Sequence, residues 1–478
     1  MIARASCIVL LVLAALQAPA GDLPVRPEQL PRPEPLRYTP TPPIREALPG
    51  GLRLVLLPDR SIPLVTIHAV VRAGSLYDPP GKEGLARITA GTLARGGSSR
   101  QPANALNERL ESLGASFATE TRREVSILSV ELLSKDLDAG LGLLAEVLTD
   151  PAFGAPQFEA ERAGLLEERR RRAEAPFDFS REEFRKLLYG PKSPWARTPS
   201  AAGLAALSRE DCLAFYRARY TPSRTVLAVA GDFDILAFRR RLAGLFGSWA
   251  AEGDPEPLFA PAPEVSPRGI FLMDKPDLTQ ATILMGELTG KRIVDGAVNP
   301  DRYPLDVLNH ILGGGGFNSM LMREIRSNRG LAYGTGSFYS LGKDRGVFVA
   351  FCQTALENTG AVIGLLRQQI AAAAARPPAS ADLARSKSSL VKAFVFDGRE
   401  PAEAVKRAAV MGIQGYPADY RARYAGQVED VFSEEVLAAA RRTLHPEEML
   451  LFVLGPADAL EEPLKAYGEV TILPMPEP

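Results

Sequence analysis

An α+β fold made of two homologous halves, each a mainly antiparallel sheet with helices packed on it, follows from three features of the sequence. Strand-like and helix-like periods interleave along the chain. A proline-rich stretch divides it into pieces of similar length, and those pieces carry similar text in the same order.

At the start, Arg4 precedes an apolar run from Cys7 to Leu16, and Ala18-Pro19-Ala20 supplies small residues at cleavage spacing. Residues 1–20 therefore read as a secretory signal peptide. The run is too short to cross a bilayer as a helix, and no later stretch reaches about twenty uninterrupted apolar residues. The expected product is exported, without a stable membrane span, and periplasmic if the source is Gram-negative. Residues 21–47 form a proline-rich arm, with Pro31, Pro33, Pro35, Pro40, Pro42 and Pro43 excluding regular helix or a central strand.

The first half, 48–252, opens with strands over Leu52 to Leu57 and Leu64 to Val71. Leu128, Val130 and Leu132 alternate with Ser129 and Glu131 as a half-buried strand does. Helices are predicted from Ala103 to Leu113, stopped by Gly114, and from Lys135 to Leu148, between Ser134 and Pro151. Ser208 caps a helix to Tyr220, followed by Pro222 and the strand Val226 to Ala230. A linker over 253–268 leads to the second half, 269–478, which answers in step. There Ser433 caps a helix to Leu444, and Pro446 precedes a strand from Met449 to Leu454.

Composition excludes several functions. With 56 basic and 57 acidic side chains the chain carries no electrostatic footprint for nucleic acid or an anionic membrane. Cys212 and Cys352 have neither metal-ligand nor redox spacing and read as buried small hydrophobes. His68, His310 and His445 are the only histidines, no two at helical spacing, so no two-histidine helical zinc site can be built. Each reads as a structural residue.

Two segments carry the chemistry. The first is Pro79-Pro80-Gly81-Lys82-Glu83-Gly84-Leu85-Ala86, continued by Arg87-Ile88-Thr89-Ala90-Gly91. The second runs from Leu312 through Gly313-Gly314-Gly315-Gly316-Phe317 to Tyr333. Its glycines invite a phosphate-loop reading, but no Gly-Lys-Ser/Thr follows, so they are expected to permit a close backbone approach. Ser319 to Asn328 suits a short helix, Gly330 its stop, and Tyr333 the start of a strand, which would bring Arg326 near Tyr333. Arg323 and Arg329 read as solvated charges near a helix end.

Both segments resemble the pitrilysin and mitochondrial-processing-peptidase family of inverted zincins, and the resemblance spans nearly the whole chain after the arm. It implies a LuxS/processing-peptidase-like metallohydrolase fold. Active members continue the first segment with His-x-x-Glu-His, two imidazoles for zinc and a glutamate to take a proton from the metal-bound water. Here Arg87, Ala90 and Gly91 stand in place of His, Glu and His. Glu168, beside Glu167, matches the family's distal zinc-ligating glutamate, and the charges around it, Arg169 to Arg172, are expected to form a solvated helix face. The family's Arg/Tyr substrate-binding pair falls on Arg326 and Tyr333.

What the resemblance implies is a zinc-less, substrate-gripping subunit, inactive alone and without a cofactor of its own. Zinc and general base would come from a homologous exported partner bearing His-x-x-Glu-His, and the substrate would be an unfolded peptide bound partly through a sheet edge. The alternative is a non-enzymatic peptide-binding or scaffold protein of the same fold. An independently active hydrolase has no support, since no Gly-x-Ser-x-Gly elbow or Cys/His pair is present.

Overall fold

The computed structural model describes residues 41–249, 253–397 and 399–476, so the signal-peptide reading and most of the arm fall outside the described residues. The first sheet is formed by β1 (Ile44–Ala47), β2 (Arg53–Pro58), β3 (Leu64–Val71), β4 (Phe117–Thr121), β5 (Ser126–Leu133) and β6 (Thr225–Gly231). Its order is β1-β2-β6-β3-β5-β4, antiparallel except for β2 against β6. The last residues of the arm thus become an edge strand, the position at which flanking prolines are tolerated.

The second sheet begins with β7 (Gly269–Asp274) and β8 (Gln280–Leu288). A short hairpin, β9 (Ile293–Val294) and β10 (Ala297–Val298), follows, turning on Asp295-Gly296 with both φ values positive. Then come β11 (Ala332–Tyr339), β12 (Val347–Ala355), β13 (Leu450–Gly455) and β14 (Val470–Leu473). The order β11-β12-β8-β13-β7-β14 repeats that of the first sheet strand for strand over five positions. The sixth differs: β1 lies antiparallel on β2, whereas β14 lies parallel on β7. The mainly antiparallel α+β architecture predicted from the sequence is the one observed.

Each sheet borrows one helix from the other half. Pro401–Ile413 lays Val405, Ala409 and Ile413 on Val55, Val70, Ile127, Val226 and Ala228 of the first sheet. Reciprocally, Pro176–Tyr189 packs against β8 and β13 of the second sheet, with the Phe177 ring 4.8 Å from that of Phe351. The alternation read over Leu128 to Leu132 is present, with Leu128, Val130 and Leu132 buried and Glu131 exposed, while Ile127 on the opposite face is covered by the foreign helix.

The seam between the halves carries a buried ion pair. Arg292 donates to Glu124 through both terminal nitrogens, at 2.6 and 2.5 Å, and through Nε to the Gln414 carbonyl at 2.8 Å. The linker is strapped down as well. Glu256 accepts from Tyr77 Oη at 2.8 Å and from Lys343 at 3.4 Å, while Phe259 packs edge-on against Tyr77 and Trp195.

Local details refine the sequence reading. Ser208 caps its helix as expected, accepting from the Asp211 amide at 3.2 Å while Asp211 accepts from the Ser208 amide at 3.0 Å. Ser433 does not: it is the first residue inside its helix, and the capping carboxylate is Glu435, which accepts from the Phe432 amide at 2.8 Å. Among the described residues no helix is long and apolar enough to cross a membrane.

Candidate functional site

The helix Leu85–Arg95 carries the first signature. Its entry is fixed by Asp78, a buried carboxylate that accepts from the amides of Gly84 at 2.8 Å and Ala86 at 2.7 Å. Burial pushes the Asp78 carboxyl up to about 7, against the pull of those two amides. Gly84 takes φ +98 there, a conformation that favours glycine. The scaffold for two ligands one helical turn apart is therefore intact.

The ligands are absent and their surroundings have closed over. Arg87 forms a two-pronged ion pair with Glu168, at 2.9 and 2.6 Å, on the neighbouring helix Ala155–Arg170. Hydrogen bonding to Arg87 holds the Glu168 carboxyl below its ordinary range. Two turns along, Arg95 pairs with Glu161, whose carboxylate lies where a Cβ on Gly91 would be built. Ala90 is buried and offers only a methyl group. A guanidinium, a methyl group and a hydrogen cannot bind zinc, so the residues present do not fit that metal. Among the described residues no group of three or more His, Cys, Asp or Glu side chains could hold a metal ion.

The charges beside Glu168 are not all solvated, contrary to expectation. Arg169 and Arg172 converge on Glu182 of the helix Pro176–Tyr189, at 2.6 and 2.9 Å, and the Arg169–Glu182 pair is largely buried. Arg170 and Arg171 stand exposed, the latter paired with Glu167. Sequence periodicity missed this because the partner lies on another helix.

Each histidine has a hydroxyl or carboxylate partner, as a structural residue should. His68 Nδ1 lies 2.7 Å from Ser129 Oγ, His310 Nδ1 3.0 Å from Ser386 Oγ, and His445 Nδ1 2.9 Å from Glu287 Oε2. Cys212 and Cys352 are buried and unpaired, and burial pushes their thiols up to about 11 and about 12, respectively.

The second signature is built around close approaches, and three of its four glycines stand where a Cβ would meet a neighbouring atom. A Cβ on Gly313 would collide with Ser337 of β11, one on Gly314 with the Asn309 amide, and one on Gly315 with the His310 carbonyl. Two π-helical turns, His310–Gly314 and Met322–Asn328, bracket Phe317. Such wide turns occur often at functional sites. The second ends where Gly330, at φ +67, donates its amide to the Arg326 carbonyl and Leu331 donates to that of Ile325, both at 3.0 Å. The predicted helix and stop are present, with the wider winding as the difference.

Tyr333 falls where the pairing register of β11 slips, Ala332 facing Thr354 and Gly334 facing Gln353. This bulge turns its side chain out, and Tyr333 is 85% exposed. The Arg326 guanidinium carbon lies 4.8 Å from the Tyr333 ring centroid, so the two predicted residues are brought together. The same guanidinium lies 4.7 Å from the centroid of Phe317, a residue that sequence reasoning passed over although it ends the glycine run. Among the described residues, the Arg326 guanidinium has no carboxylate or carbonyl partner. Arg329 pairs with Glu324 at 2.7 Å and Arg323 with Asp382 at 3.7 Å, so neither is simply solvated.

The helix Leu85–Arg95 and the Phe317–Arg326–Tyr333 group hold different chemistry: one is self-neutralised, the other presents hydrogen-bond donors outward.

The family model described as "Insulinase (Peptidase family M16)" matches residues 53–187, and that described as "Peptidase M16 inactive domain" matches residues 206–390. A protein from Mycobacterium tuberculosis named an uncharacterized zinc protease is 27% identical over 409 residues, covering 84% of this chain and 91% of its own. One of the same name from Rickettsia bellii is 26% identical over 328 residues, covering 68% and 76%. The crystal structure of a peptidase M16 inactive domain from Pseudomonas fluorescens superposes with a TM-score of 0.77 at 23% identity, over 87% of this chain and 98% of that one. A protease from Helicobacter pylori gives 0.75 at 19%, over 88% and 100%. With two adjoining matches to one family and its fold throughout, the chain belongs to the M16, pitrilysin-type, peptidase family.

Proposed function

We propose that this chain is the zinc-less, substrate-binding subunit of an exported M16-type metallopeptidase acting on unfolded peptides. In this reading zinc and the general base come from a homologous partner bearing His-x-x-Glu-His. The observation that carries it is an asymmetry: the helix that would hold zinc is sealed by Arg87–Glu168 and Arg95–Glu161, whereas Tyr333 is exposed and the Arg326 guanidinium beside it has, among the described residues, aromatic rings but no carboxylate or carbonyl as partners. A protein kept only for its fold has no reason to leave a guanidinium uncompensated beside an exposed phenol.

In the complex, Arg326 would donate to a peptide carbonyl, and Tyr333 Oη would donate to the oxygen that gains charge as water attacks. The unpaired edge of β11, on which Tyr333 sits, offers main-chain hydrogen bonds to an extended strand. The test is co-expression with each His-x-x-Glu-His homologue from the same genome. A one-to-one complex with chelator-sensitive peptidase activity that neither chain has alone supports the reading. Failure to associate with or activate any of them gives the ground to the scaffold alternative.

A further inference from the structure

Phe317 is 64% exposed at the end of four glycines, a costly place for a large apolar side chain to stand. Its only ring partner among the described residues is the cation of Arg326, at 4.7 Å. Tyr333 engages that cation at 4.8 Å, so two aromatic rings share one guanidinium. Among the described residues no carboxylate restrains Arg326, in contrast to Arg323 and Arg329 of the same segment. A long, flexible side chain is thus held by ring faces, which leave its in-plane N–H groups available for an acceptor.

We propose that Phe317 is a positioning residue of the peptide-binding site: it holds the Arg326 guanidinium beside Tyr333 so that its N–H groups meet a peptide carbonyl already ordered. This rests on the substrate-binding reading above. A carboxylate in place of Phe317 would also fix the arginine, but it would occupy the donors the substrate needs. A ring fixes the cation without consuming a hydrogen bond, and two π-helical turns place it there. The exposed Phe317 is thereby explained by what it orders.

The experiment measures binding of a fluorescein-labelled unstructured peptide of mixed composition to the purified full chain by fluorescence anisotropy. Phe317→Ala, Phe317→Leu, Phe317→Trp, Arg326→Ala and the Phe317→Ala/Arg326→Ala double variant are compared. The expected result is a loss of affinity of roughly two- to tenfold for Phe317→Ala and for Phe317→Leu, with Phe317→Trp near the unsubstituted chain. The double variant should lose no more than Arg326→Ala alone, because a residue acting through Arg326 has nothing left to act on. A Leu variant that binds as well as the unsubstituted chain, or losses that add in the double variant, overturns the inference and makes Phe317 an ordinary apolar contact. If Arg326→Ala weakens binding and Phe317→Ala does not, the inference falls while the substrate-binding reading stands. If the unsubstituted chain binds no peptide, or Arg326→Ala is without effect, the substrate-binding reading itself falls.

Discussion

The guanidinium carbon of Arg326 lies 4.8 Å from the ring centroid of Tyr333, across the turn at Gly330 and next to a strand bulge. The two side chains support neither core nor seam, so Arg326→Ala and Tyr333→Phe should leave folding and assembly unchanged. Turnover in the reconstituted complex should fall on the order of a hundredfold, the cost of losing an oxyanion donor. Arg323→Ala is the control. Its 3.7 Å pair with Asp382 is long and partly exposed, and such surface pairs contribute about 0–1 kcal/mol, so activity should be nearly unchanged. Equal losses in all three variants would mark the segment as structural.

Zinc content gives a second prediction. The purified chain should retain no stoichiometric zinc after dialysis, because Arg87, Ala90 and Gly91 supply no ligand and Glu168 is held by Arg87. Elemental analysis checks this. Arg87→Ala should not restore binding, since releasing Glu168 provides one carboxylate where tight binding needs at least three ligands. About one zinc per chain in either protein would refute the assignment.

The helix exchange predicts joint unfolding. With Pro176–Tyr189 on the second sheet and Pro401–Ile413 on the first, the halves should unfold in a single transition in urea. Glu124→Ala should lower stability by about 3 kcal/mol, because it leaves Arg292 buried without its partner. Two separated transitions would show that the exchanged helices do not couple the halves.

His68 makes part of that stability depend on pH. Burial, and then the like charge of Lys406 on the exchanged helix, push the imidazole down to about 4 from an ordinary 6.5. The unfolded chain therefore binds a proton that the folded chain refuses between those values. Stability from this group is complete above about pH 6.5 and is lost as pH falls toward 4, by at most about 3 kcal/mol. His68→Gln should flatten the unfolding midpoint across that window. An unchanged pH profile in the variant would show that His68 does not report the seam.

The duplication was legible because each half repeats the same run of helix, proline and apolar strand, whereas the order of the strands in each sheet was not. The missing zinc ligands were equally plain, since three histidines with no two at helical spacing exclude a two-histidine helical site. Arg326 and Tyr333 were singled out by the resemblance to the family's Arg/Tyr pair, and the helix stop at Gly330 between them agreed with bringing the two side chains together. Only the tertiary structure decided what the other charges and aromatics do. Arg87 meets Glu168, Arg169 meets Glu182 and Phe317 meets Arg326 through contacts across turns and between helices, which no residue period encodes. The exchange of helices was hidden for the same reason: an apolar face states that it must be buried, and the partner that buries it is chosen by the path of the whole chain.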